Sequence, residues 1–162
     1  MYLFFLFVIV LFERNFSACI LLLNGEIFLC KLGDIIVVNK YIGDDGNVIN
    51  RHSFVVVDDE KGVISGLDYD MVASAISSFK GEEHRKKKLK YKENMELPIN
   101  SMCKGHLKND SYIKVDQAYY FKKDKIDYYV LGRLKQKYVN KLLRSIIHLD
   151  SEDRVKIIIN NL

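Results

Sequence analysis

The chain has no tryptophan, one proline and three cysteines in 162 residues. Cys19, Cys30 and Cys103 are odd in number and form no CxxC pair, which excludes a disulfide framework and points to a reducing compartment, so a cytoplasmic location is expected. Cys103 and His106 make half of a metal site, but no second pair follows at ligand spacing, and neither metal nor cofactor is expected. GxGxxG after a strand, GxxxxGK[ST], GxSxG and HExxH are all missing, which argues against dinucleotide-binding, P-loop, α/β-hydrolase and zincin chemistry. An apolar run of spanning length is missing too. "MYLFFLFVIVLF" is broken by Glu13, Arg14 and Asn15 before "SACILLL" begins, and a spanning helix wants about 20 uninterrupted apolar residues. Residues 1–30 are therefore read as an apolar N-terminal extension outside the functional domain, which occupies 31–162, and a membrane partner is not expected. A true anchor is the competing reading, and fractionation of the expressed chain separates the two.

What is present suits a globular domain. Hydrophobic residues make up 49% and charged residues 28%, too apolar for a disordered chain. Lys plus Arg is 25 against 21 for Asp plus Glu, a net charge of +4 that names no partner by itself. The basic residues are unevenly spread, and "RKKKLKYK" at 85–92 concentrates Arg85, Lys86, Lys87, Lys88, Lys90 and Lys92 around Tyr91.

From Lys31 the pattern is that of short strands. "GDIIVVNKY" (33–41) is β-branched and follows a Gly-Asp turn; "IGDDGNVIN" reads as a loop; "SFVVVDD" is a second strand with Arg51 and His52 at its mouth. In "DMVASAISSF" (70–79), Val72, Ser74, Ile76 and Ser78 take one face and Met71, Ala73, Ala75 and Ser77 the other. Residues 80–92 form a solvated excursion, and Pro98 confines "MELPI" to a strand end or sheet edge. "DSYIKVDQAYYF" (110–121) alternates as a strand, and "IDYYVLGRL" fits either a strand or a helix entry. After Gly132 the period becomes helical, with Val139, Leu142, Leu143, Ile146 and Ile147 on one stripe. Ser151, Glu152 and Asp153 then suit the start of another helix. The expected fold is a mainly β, small antiparallel barrel with terminal helices.

The polar groups at strand mouths are Arg51, His52, Ser77, Ser78, Lys114, Asp116 and Gln117. Singly, each has a structural explanation, such as a Lys114–Asp116 surface pair worth under about 1 kcal/mol. Together they are the residue types that chemistry at a phosphate uses: a base, a proton donor for a leaving oxygen, and positive charge for the phosphate oxygens. Arg51 offers a planar, permanently charged fork, and His52 titrates near neutrality as base or acid. Asp116 is a second base candidate, and Ser77 a hydroxyl donor. Lys86, Lys87, Lys88 and Tyr91 form either a solvated face or an RNA-contacting arm, and the same charge suits an acidic protein tail.

"LGDIIVVNKY", "NRHSFVVVDD", "VASAISSF" and "NDSYIKVDQAYYF", followed by a terminal helix, resemble in order and spacing the MazF/PemK (Kid) toxins of type II toxin-antitoxin systems, over roughly residues 31–148. The resemblance implies an SH3-like barrel with a C-terminal helix, a homodimer, an acidic antitoxin partner, and sequence-specific, metal-independent endoribonuclease (mRNA interferase) activity on single-stranded RNA through 2'-hydroxyl attack. The family's arginine falls on Arg51, its catalytic threonine on Ser77, and the Kid branch's basic and acidic residues on Lys114 and Asp116. His52 stands where the family has proline, and the segment from Lys80 to Asn109 is longer than the family's. The alternative is a non-catalytic barrel module that binds RNA or a protein such as gyrase. The two are distinguished by whether Arg51, Ser77 and Asp116 share one surface.

Overall fold

A computed structural model describes residues 30–162, and the expectations for residues 1–29 lie outside the described residues. The strands are β1 (Asp34–Ile42), β2 (Val48–Asp58), β3 (Gly62–Ile64), β4 (Leu67–Tyr69), β5 (Met71–Ser78), β6 (Asn94–Leu97), β7 (Met102–Lys104), β8 (Ser111–Lys114), β9 (Gln117–Phe121), β10 (Tyr128–Leu134) and β11 (Lys156–Asn161). Two helices interrupt them, α1 (Glu82–Lys88) and α2 (Gln136–Ser151). Nine strands make one curled, largely antiparallel sheet in the order β11-β9-β5-β2-β1-β10-β7, with β8 joining β5 to the edge strand β6. The β3–β4 hairpin stands apart from it. The described residues are thus mainly β, forming a half-barrel with a helix near the C-terminus.

The alternation expected in β5 separates two apolar layers. Val72 and Ile76 join Ile35, Val55 and Ile113 in a layer covered by Val139, Leu142, Leu143, Ile146 and Leu149 of α2. Met71, Ala73 and Ala75 join Ile36, Val38, Phe54, Val56, Tyr119 and Phe121 on the other side. The alanines there leave room for rings. Phe54 and Tyr119 meet edge-on at 5.2 Å, and Tyr41 and Phe54 at 4.9 Å.

The Gly-Asp signature before β1 has a structural cause. Gly33 adopts φ +84, and a Cβ there would lie 2.8 Å from Val139 Cγ2 of α2, so only glycine permits both the turn and the helix contact. Buried Asp34 accepts from Arg133 Nε at 2.6 Å and from the Lys31 amide at 2.8 Å, which ties the start of β1 to the end of β10. Gly132 is under a comparable constraint. A Cβ there would overlap the Lys104 carbonyl oxygen and Met102 Cε, where β10 pairs with β7. Gly132→Ala should therefore lower stability by about 1–3 kcal/mol, the usual cost of overpacking. Urea unfolding checks this, and an unchanged midpoint would show that the edge strand yields without cost.

Four expectations are corrected. β2 begins at Val48, not after His52, because Val48–Asn50 pair with Lys40–Ile42 across a tight Gly43–Asn47 turn. Arg51 and His52 therefore sit within a strand and not at its mouth. Residues 110–121 are two strands broken at Val115–Asp116, not one. The excursion at 80–92 contains α1, a short helix with no buried residue. The expected second terminal helix is a strand. Asp153 at φ +54 closes α2, and the β-branched run Ile157–Ile159 pairs parallel with β9. Ser151 caps nothing ahead of it, and its Oγ donates back to the His148 carbonyl at 2.7 Å. The sheet curls far enough for Asn161 to bridge to β1, its Oδ1 accepting from the Ile42 amide at 2.7 Å and its Nδ2 donating to the Ile42 carbonyl at 3.0 Å. Among the described residues no helix is long and apolar enough to cross a membrane.

Candidate functional site

The site is set by register. β2 and β5 pair Phe54 with Ala75 and Ser53 with Ile76, where the paired ladder ends, and His52 and Ser77 are the next residues of the two strands. β5 and β8 pair Ser77 with Tyr112, and Lys114 follows two residues later on the same face. Gln117 lies on that face of β9, in step with Tyr119 and Phe121. Asp116 sits in the turn that joins β8 to β9, its backbone carbonyl fixed by the Lys156 amide at 2.7 Å. His52, Ser77, Lys114, Asp116 and Gln117 are thus gathered by neighbouring strands at one end of the aromatic layer, all half-buried.

Their surroundings shift the proton affinities. His52 packs against Phe54 at 5.5 Å and Tyr41 at 5.9 Å between ring centroids. Burial, and then the Lys114 ammonium, push its pKa below the ordinary histidine value. Burial pushes Asp116 above the usual carboxylate range, against the opposing pull of its own backbone amide and Lys114. Gln117 Oε1 is buried without a hydrogen-bond partner among the described residues. The arrangement therefore combines a neutral imidazole, a hydroxyl, a cation and a carboxyl that holds its proton to higher pH. Those are the roles a base, a donor to phosphate, a charge stabiliser and an acid require.

Arg51 is not with them. It has φ +36, a left-handed conformation in mid-strand, and its Nη2 donates to Tyr129 Oη at 3.0 Å. Tyr129 is on β10, beyond β1, whereas Ser77 is on β5 at the other side of β2. The hydrogen bond draws the exposed guanidinium away from Ser77 and Asp116. Ser78 also faces away from the site, its Oγ 3.4 Å from Ser111 Oγ. The Lys114–Asp116 pair is Coulombic, and no ion pair within contact distance joins the two.

The basic segment abuts the site through aromatic rings. Phe79 stacks on Tyr112 at 5.1 Å and 29°, and His84 of α1 lies 6.2 Å from the same ring. Lys88 Nζ sits over Tyr112 at 5.9 Å, and Arg85 pairs with Glu96 of β6. Lys86, Lys87 and Tyr91 are exposed. The sequence reading passed over Tyr41, Tyr112 and Tyr129. The rings that pack on Tyr112 come from the end of the segment read as a strand (Phe79) and from the excursion after it (His84).

Comparison of the chain with protein-family models and with curated proteins gives no match.

Proposed function

We propose that the chain is a metal-independent endoribonuclease toxin of the MazF/PemK kind, built on an SH3-like barrel and acting on single-stranded RNA in the cytoplasm. The reading is supported most by the strand order and registers that put His52, Ser77 and Lys114 on one face of the neighbouring strands β2, β5 and β8. Neutral His52 takes the proton from the RNA 2'-hydroxyl, whose oxygen attacks the adjacent phosphorus. Lys114 and the Ser77 hydroxyl stabilise the charge that builds on the phosphorane oxygens. The Asp116 carboxyl, whose affinity for a proton is raised by burial, returns a proton to the departing 5'-oxygen. Arg51 grips a phosphate away from the scissile one. A homodimer and an acidic antitoxin belong to the same reading.

One observation favours a second reading. Arg51 does not share a surface with Ser77 and Asp116, as the enzyme was expected to require: its hydrogen bond to Tyr129 removes the strongest phosphate ligand from the other candidates, as suits a non-catalytic module for RNA or a protein target. Incubation of the purified chain with a defined single-stranded RNA in EDTA decides between them. The enzyme yields 2',3'-cyclic phosphate and 5'-hydroxyl ends and spares a strand with 2'-deoxyribose at the cut. RNA that is bound but left intact identifies the module and overturns the enzyme.

A further inference from the structure

Past the acidic first turn of α1 (Glu82, Glu83), residues 85–92 carry charge of one sign, and they are rigidly mounted. Arg85 Nε donates to Glu96 Oε1 at 2.9 Å, Asn94 Nδ2 donates to the Lys88 carbonyl at 2.9 Å, and Tyr112 lies beneath Phe79, His84 and Lys88. Arg85 and Lys88 are thereby committed to holding α1 on β6 and β8. Lys86, Lys87 and Lys90 are exposed, and among the described residues none of them has a carboxylate within ion-pair distance. Tyr91, between two lysines, keeps 53% of its surface exposed. Tyr112 ties this shelf to the site, since it pairs with Ser77 and precedes Lys114 by two residues on the same face.

We propose that the outward side of α1 and the turn after it form a track for the backbone of single-stranded RNA, with Lys86, Lys87 and Lys90 on phosphates and Tyr91 stacked on a base. The proposal rests on the RNA-directed reading and extends it, because it makes the bound segment longer than the step that is cut. Two features favour RNA over an acidic peptide as the occupant. An exposed aromatic ring interleaved with lysines suits the π-face of a base, and the shelf abuts His52, Ser77 and Lys114, where a strand being cut must continue. Anchoring through Tyr112 and Glu96 lowers the ordering cost of each contact.

The test uses a labelled 2'-O-methyl RNA dodecamer, which lacks the attacking hydroxyl, in a salt titration of binding by fluorescence anisotropy. For a variant carrying Lys86→Ala, Lys87→Ala and Lys90→Ala, the slope of log K against log salt should flatten by about 2, three single-strand phosphate contacts at about 0.7 each. Tyr91→Ala should weaken binding about fivefold or more with the slope unchanged. Cleavage of a tetramer that spans only the scissile step should be the same in all variants. An unchanged slope in the triple variant, with wild-type binding intact, overturns the track and leaves the nuclease reading standing. Loss of polyglutamate binding in the triple variant, with its RNA slope unchanged, assigns the shelf to an acidic protein and likewise overturns the proposal. Wild-type protein that neither binds nor cuts RNA overturns both.

Discussion

His52→Gln should reduce RNA cleavage by about 10²- to 10⁴-fold while leaving the thermal unfolding midpoint close to that of the parent, since general-base catalysis is worth that much and a half-buried polar amide replaces a half-buried ring. The pH profile gives a sharper test. A base must be neutral to act, and burial together with Lys114 lowers the affinity of His52 for its proton. Activity should therefore persist below the ordinary histidine range and fail only at lower pH. Lys114→Met removes the second of those causes. The acid limb should then move up towards the ordinary value of 6.5, whatever happens to the maximal rate. Product ends after timed digestion of a fluorescent RNA across a pH series measure both effects. A His52→Pro protein with full activity and the parental profile would show that the imidazole takes no part.

The second large effect concerns stability. Asp58, at the end of β2, is only 1% exposed and its Oδ2 has no hydrogen-bond partner among the described residues. The other oxygen accepts from the Glu60 amide at 3.3 Å. Burial raises its pKa from 3.8 to about 7, assisted by Asp59 and Glu60, while the Glu60 and Asp59 amides pull the other way; Tyr69 and Tyr120 feel its charge. The folded state therefore binds a proton at this site more tightly than the unfolded chain does. The resulting stabilisation is complete below about pH 4 and is lost as pH rises through about 7. The whole shift corresponds to an order of magnitude of about 4 kcal/mol, of which about 2.5 kcal/mol falls between about pH 5 and about pH 8. Asp58→Asn should flatten that decline. Asp59, Asp116 and Asp150 are also shifted upward by burial and leave a smaller slope of the same sign. Urea unfolding free energies at the two pH values measure it. A parent whose stability rises over this range, or a variant with the parental slope, would overturn the assignment.

How much of this was legible in the sequence varies with the residues concerned. The faces of β5 followed from period-two alternation, because a half-barrel buries both sides of its central strand and neither face tolerates charge. The stripe on α2 was equally clear, since one flank must cover the sheet. The start of β2 was hidden because Gly43–Asn47 carries strong turn residues and Val48–Asn50 alone is too short to signal a strand; pairing with β1 supplies what local preference does not. β11 was mistaken because Ser151–Asp153 has the composition of a helix start, whereas Asp153 in a left-handed conformation ends one. At the site, residue types suggested the chemistry, and the convergence of His52, Ser77 and Lys114 depends on registers between strands far apart in the chain. The direction of Arg51 could not be read at all, since its partner is set by the β1–β10 pairing.

The conformation of Arg51 makes it a position where backbone comfort and side-chain purpose oppose one another. Glycine at that point would relax a geometry that costs an L-residue about 1 kcal/mol or more. An Arg51→Gly protein should consequently gain back some of the folding free energy that the missing guanidinium removes, while an Arg51→Ala protein should not. Any mutational survey that ranks this position by alanine alone would conflate a resting torsional load with the worth of a positive charge.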